Sequence, residues 1–207
     1  MATLRQGEYG SYYGSVEGES EPLTLEEMQV NALYLYNVLS GAGWTINSIS
    51  AMLGNMQAES TINPGRWQNE DVDNTDIGYS LVQWTPASKY IGWCNSQGLA
   101  DPSEMDSAIA RILFEVENNI QWIGTEDYNF TFSTFTKSSD DVGMLAKAFL
   151  LNYERPADQS KRVQDYRTQL ATAWYEFLSG TTPETTKKKK KGYNFLLFNK
   201  RKRFIYG

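Results

Sequence analysis

The chain has 207 residues and a formal net charge of −6, with 41% hydrophobic residues, 14% aromatic residues, one cysteine and no histidine. The apolar share is enough for one sizeable core. The missing histidine excludes Ser-His-Asp and Cys-His nucleophile systems and the usual His-based catalytic zinc site, and a lone Cys94 excludes an internal disulfide or a cysteine metal cluster.

Residues 1–22 mix Gly, Ser, Glu and Tyr without helical periodicity and read as a flexible or strand-like acidic arm ending at Pro22, with no core of its own. The first eight residues lack a basic start followed by an apolar run, so they do not read as a secretory signal. Thr24-Leu25-Glu26-Glu27 has the form of a capping box. Met28, Ala32, Leu35 and Leu39 then recur at helical spacing up to Gly41 and Gly43. A second helix is expected from about Thr45 or Ile46 to Ser60, with Ile49, Met52, Leu53 and Met56 on one face and Pro64-Gly65 closing it.

Residues 61–85 read as loop with room for a small sheet. Thr85-Pro86 opens a third helix, with proline at its first position, and Gly98 ends it. A long helix follows from Asp101 or Ser103, carrying Ile109, Ile112, Val116 and Ile120. Residues 124–137 are a loop or a short helix. Another helix follows Ser139. The last runs from about Pro156 to Leu178, with Val163, Tyr166, Leu170, Trp174 and Phe177 inward. The fold class is mainly α: a lysozyme-like α+β domain over 23–180, with a small irregular or β segment between its second and third helices. Residues 181–207 form a linker and a basic, aromatic tail. That tail holds nine of the 19 basic residues from position 187 onward and none of the 25 acidic ones. It suits anionic polymers or membrane, whereas the acidic body argues against nucleic acid. No stretch reaches the ~18 apolar residues of a transmembrane helix.

With histidine absent, acid–base work falls to carboxylates, and glycoside hydrolysis is the main hydrolytic class that runs on carboxylates alone. Glu59 lies one turn past Met56, at the end of an apolar helix face. A carboxylate at such a rim is partly desolvated, and desolvation favours the protonated form that a general acid requires. The C-terminal end of a helix acts in the same direction.

Several stretches in this region form an ordered set: Gly43-Trp44, Met52-Leu53-Gly54-Asn55-Met56-Gln57, Glu59-Ser60-Thr61-Ile62-Asn63-Pro64-Gly65, Trp67-Gln68-Asn69, Leu81-Val82-Gln83-Trp84-Thr85-Pro86-Ala87-Ser88, Ser96-Gln97-Gly98-Leu99 and Tyr153-Glu154-Arg155-Pro156. In this order the chain resembles the phage tail lysozymes, found at the tail-knob tip of small podoviruses. More distantly, it is similar to goose-type lysozymes and lytic transglycosylases, which share a Glu-Ser pair and a later Gly-containing segment ending in Gln. Here those are Glu59-Ser60 and Gly78 to Gln83.

The resemblance implies that Glu59 protonates the leaving oxygen during β-1,4 cleavage between N-acetylmuramic acid and N-acetylglucosamine. It implies no cofactor or metal. Peptidoglycan strands are the implied partner, other phage tail proteins the implied neighbours, and the virion tail the implied location. Gln83 would face an acetamido group or a water. Trp67, Tyr79 and Trp84 flank the acid in sequence and suit pyranose faces or core packing equally. Ser60 and Tyr153 complete the expected sugar-binding set, while Glu154-Arg155 reads equally as a structural ion pair. For a second catalytic carboxylate, Asp76 is the first choice and Asp73 the next, each also readable as an Asx turn or a solvated loop charge. Two positions depart from the goose-type pattern: Thr85 stands where an acidic residue falls, and Ser80 replaces the glycine before Leu81.

Overall fold

The computed structural model describes residues 2–99 and 101–181. Most of the linker and all of the basic tail expected at 181–207 lie outside the described residues. Among the described residues, strands β1 (Thr3–Gly7) and β2 (Gly10–Gly14) precede seven α-helices: α1 (Leu25–Gly41), α2 (Ile46–Ser60), α3 (Ala87–Gln97), α4 (Met105–Asn118), α5 (Phe132–Lys137), α6 (Val142–Phe149) and α7 (Lys161–Thr181). The architecture is therefore mainly helical with one small sheet. Among the described residues, no helix is long and apolar enough to cross a membrane.

The segment expected as a flexible or strand-like arm takes the strand form. β1 and β2 pair antiparallel as a hairpin, with Thr3 opposite Gly14 and Gly7 opposite Gly10. A lone hairpin is marginal in water, so its order comes from docking. The buried Asn31 of α1 accepts from Tyr13 N at 2.7 Å and donates to Tyr13 O at 2.7 Å and Ile62 O at 2.8 Å. Asn63 donates to the Ser15 hydroxyl at 2.8 Å, and Tyr12 is buried against the helices. The hairpin therefore shares the main core instead of building one.

α1 starts at the expected capping box, with the Thr24 hydroxyl accepting from Glu27 N and the Glu27 carboxylate accepting from Thr24 N. α2 is the central helix, buried along Ile49, Ala51, Met52, Leu53 and Met56 and packed against both α6 and α7. Buried Asn55 ties it to α6 by donating to Ala146 O at 3.1 Å. Three boundaries differ from expectation. α4 starts at Met105, past Ser103, and ends at Asn118, short of Ile120. Pro86 is the residue before α3 and not its first helical position. α7 begins at Lys161, not near Pro156, because Asp158 turns the chain back by accepting from Ser160 N at 2.9 Å.

The inward stripe of α7 also shifts. Its buried residues are Arg167, Ala171, Trp174 and Leu178, at helical spacing, whereas Tyr166 is 51% exposed. Cys94 is buried in α3, and burial pushes its thiol up to about 11, as suits a packing residue.

Candidate active site

α2 ends at Ser60, and the next two residues, Thr61 and Ile62, both adopt left-handed backbone (φ 53° and 55°). For β-branched residues this conformation is strained and persists only where surrounding contacts hold it. The holding contacts are visible. The Ser60 hydroxyl donates to Met56 O at 3.1 Å and to Leu81 O at 2.7 Å, and Ile62 is fully buried. The helix end carrying Glu59 is thereby fastened to the segment carrying Gln83.

The irregular segment between α2 and α3 folds back on itself through two isolated bridges, Trp67 with Tyr79 and Tyr79 with Trp84. Arg66 O accepts from Ser80 N at 2.8 Å, and Gly78 O accepts from Gln68 N at 2.9 Å. Ser80 sits at φ 72°, a left-handed position that explains why glycine suits the site and serine is a departure. Gln83 also has a positive φ, of 51°. Its amide nitrogen donates to Ser80 O at 2.8 Å and Arg66 O at 3.1 Å, which fixes the side chain and leaves its oxygen as the free end.

These pieces enclose a cavity of about 390 Å³, within the range of small-ligand sites. Of the residues expected from sequence, Glu59, Trp67 and Gln83 line it. The Glu59 side chain is 25% exposed and contacts the guanidinium of Arg167. Thr85 also stands on the wall, where the goose-type pattern has an acid.

The remaining expected residues lie elsewhere. Asp73 and Asp76 are exposed on the loop and are not part of the cavity wall. Tyr79 is buried against Trp67, with ring centroids 4.2 Å apart. Trp84 stacks on Tyr90 at 4.3 Å and donates from its indole N–H to Glu115 and to the Tyr153 hydroxyl, both at 3.1 Å. Tyr153 is buried, stacks on Phe149 at 4.5 Å and donates to Glu115. Glu115 is fully buried in α4 and paired with Arg111 at 2.7 Å. Burial pushes its carboxyl above the usual range, against the pull of the Tyr153 hydroxyl, Arg111 and Trp84.

Two further groups join the site: Glu154, read from sequence as half of an ion pair, and Arg167, not singled out from sequence. α6 runs into a π-helical turn, Leu150–Glu154, of the kind that interrupts helices at functional sites. That turn delivers Glu154 to the cavity wall with its side chain only 5% exposed. The expected alternative of a Glu154–Arg155 ion pair is not formed. Arg155 donates to the carbonyls of Gln121 and Asn152, and Glu154 instead lies 4.0 Å from Arg167 Nη2. Burial first, then the proximity of Glu59, hold the Glu154 carboxyl well above the usual range, with Arg167 opposing.

A family model described as phage tail lysozyme matches residues 30–178. The chain belongs to the phage tail lysozyme family. Morphogenesis protein 1 of Bacillus phage B103 is 51% identical over 158 residues, which cover 76% of this chain and 42% of that protein. The chain therefore spans less than half the length of that relative. Within this phage tail lysozyme domain the matched region holds α2, the folded-back segment, the π-helical turn and most of α7, and so every group around Glu59.

The buried position of Tyr153 yields a prediction. Tyr153→Phe removes a donor to a buried charged carboxyl and an acceptor for Trp84. It should cost about 1.5–3 kcal/mol in chemical unfolding and leave glycan KM unchanged. Unaltered stability with a raised KM would instead place the Tyr153 hydroxyl on the ligand.

Proposed function

We propose that the chain hydrolyses the β-1,4 bond between N-acetylmuramic acid and N-acetylglucosamine in peptidoglycan, with Glu59 as general acid, as the wall-cutting part of a phage tail during infection. The observation that carries this reading is the position of Glu59: fixed at a helix end, mostly buried, and open to a cavity of sugar-binding size. In that position it donates a proton to the leaving oxygen as the glycosidic bond breaks. The free oxygen of Gln83 suits an acetamido N–H, and Trp67 offers an apolar edge to the ring. With Asp73 and Asp76 off the wall, holding the attacking water falls to polar wall groups such as Gln83 and Thr85.

A lytic transglycosylase is the second reading. Its favouring observation is that the two carboxyls on the wall, Glu59 and Glu154, both approach Arg167 Nη2, so they stand together and not on opposite faces of a sugar. Intramolecular anhydro-sugar formation needs only one of them. Mass spectrometry of the products from purified peptidoglycan separates the two: hydrolysis leaves reducing ends carrying an added water, whereas transglycosylation leaves 1,6-anhydro ends. Glycan binding with neither product would overturn both readings and leave a binding module.

A further inference from the structure

General-acid chemistry by Glu59 gives no role to Glu154 or Arg167, yet these three groups are the charges that meet behind the cavity. Neither carboxyl oxygen of Glu154 meets a hydrogen-bond donor among the described residues, although both are buried. An ionised carboxylate in that condition is strongly disfavoured. Its near charged neighbours come from two elements. Glu59 of α2 lies within hydrogen-bonding reach. Arg167 of α7 contacts Glu59 through the same Nη2 that lies 4.0 Å from Glu154 Oε2. Arg167 is itself held in place, its Nη1 donating to Asn55 O at 3.3 Å. The cation that lines the wall itself, Arg66, pairs with Glu70 at 3.2 Å. One guanidinium thus faces two carboxyls. A single proton between them brings the cluster to neutrality and supplies the donor that Glu154 lacks, as in other paired carboxyls.

We propose that Glu154 is a positioning residue that shares one proton with Glu59 and so supplies Glu59 with the proton it donates. The inference rests on Glu59 being the general acid. The proton rests on Glu154, where an unpaired buried anion is most costly, and moves to Glu59 for the reaction, so that Glu154 is ionised only transiently, facing Arg167 Nη2 at 4.0 Å. Glu59 passes the proton to the glycosidic oxygen, which departs with both electrons of the C1–O bond. Two adjacent carboxylates then face one guanidinium, an arrangement that favours taking one proton back. The water that adds to C1 gives its proton back to the pair, so the protein ends with the proton it began with.

The test is the pH–rate profile of Glu154→Gln and Glu154→Asp on purified peptidoglycan. Glu154→Gln removes the buried carboxyl that holds the shared proton above the usual range, so the alkaline limb should move down by about one pH unit or more, with the loss of rate growing as pH rises. Glu154→Asp, which keeps a carboxyl, should move the limb back toward the parent. A uniform loss with an unmoved limb would overturn the proposal in favour of a packing role, and an unchanged profile would make Glu154 a bystander. Carboxyl 13C NMR of Glu-labelled protein reads the shared proton without turnover. Glu154 should titrate above the ordinary glutamate range, and its curve should shift in Glu59→Gln. Two independent, ordinary titrations would overturn the sharing even in an active enzyme. A shared proton together with full activity of Glu59→Gln would overturn the catalytic reading of Glu59 while leaving the sharing intact.

Discussion

Glu59→Gln should lower the release of reducing ends from peptidoglycan by about a thousandfold, within the range that a positioned general acid supplies, while glycan binding persists. Glutamine cannot yield a proton, but its oxygen can still accept from Arg167, so the contact that shapes the site survives. The variant should also change how stability responds to pH. The folded-state carboxyl of Glu154 is raised, by burial first and by Glu59 second. A raised acid contributes stability that is fully present below the ordinary glutamate pKa and is lost as pH climbs through its folded value. Removing the Glu59 charge takes away one cause of the rise and leaves Arg167 opposing it. Melting temperatures of the variant should therefore fall less between mildly acidic and alkaline pH than those of the parent. Parallel melting curves would show that the two carboxyls do not interact, and full activity would remove Glu59 from the chemistry. Asp73→Asn and Asp76→Asn, both exposed and off the wall, should keep near-parental rates. A collapse in either would return the water-positioning role to that loop.

What could be read from the sequence was local. Thr24 and Glu27 announced the start of α1 because a capping box spans only one turn, and Met52, Leu53 and Met56 set the buried face of α2 by spacing alone. Glu59, Trp67 and Gln83 reach one cavity because they belong to one continuous stretch whose ends are tied by Ser60 and Leu81. Glu154 and Arg167 arrive from far along the chain, and no spacing rule predicts which distant charge faces a given acid. A signal for Arg167 did exist. It keeps helical register with Ala171, Trp174 and Leu178, and a charge inside an apolar stripe needs a partner. Glu115 carries the same signal, in register with Ala108 and Ile112 of α4. Its partners Trp84 and Tyr153 explain why two aromatic residues expected at the sugar are buried instead. Tyr and Trp serve a core or a ligand equally well, and only the location of their polar partner decides between them.

The meeting of Glu59 and Arg167 depends on how closely α2 and α7 approach, and Gly54 sets that approach. A Cβ at Gly54 would lie 2.5 Å from Ala171 N and 2.8 Å from Ala171 Cα. Ala171 is one turn beyond Arg167, so any separation forced at Gly54 is passed to the guanidinium. In an exposed helix Gly→Ala gains about 1 kcal/mol. Gly92 of α3, with nothing near its would-be Cβ, should show that gain. Gly54→Ala should do the opposite, losing about 2–3 kcal/mol through overpacking, which for a chain of this size lowers Tm by about 5–10 °C. Its activity should fall at temperatures where it remains folded, because Arg167 moves away from Glu59. Ala171→Gly should not rescue it, since it removes the Cβ at 2.8 Å but leaves the two backbone atoms, the nearest at 2.5 Å. If Gly54→Ala behaved like Gly92→Ala in a thermal melt, or if Ala171→Gly restored it, the helices would not be in backbone contact there. The placement of Arg167 beside Glu59 would then need another cause.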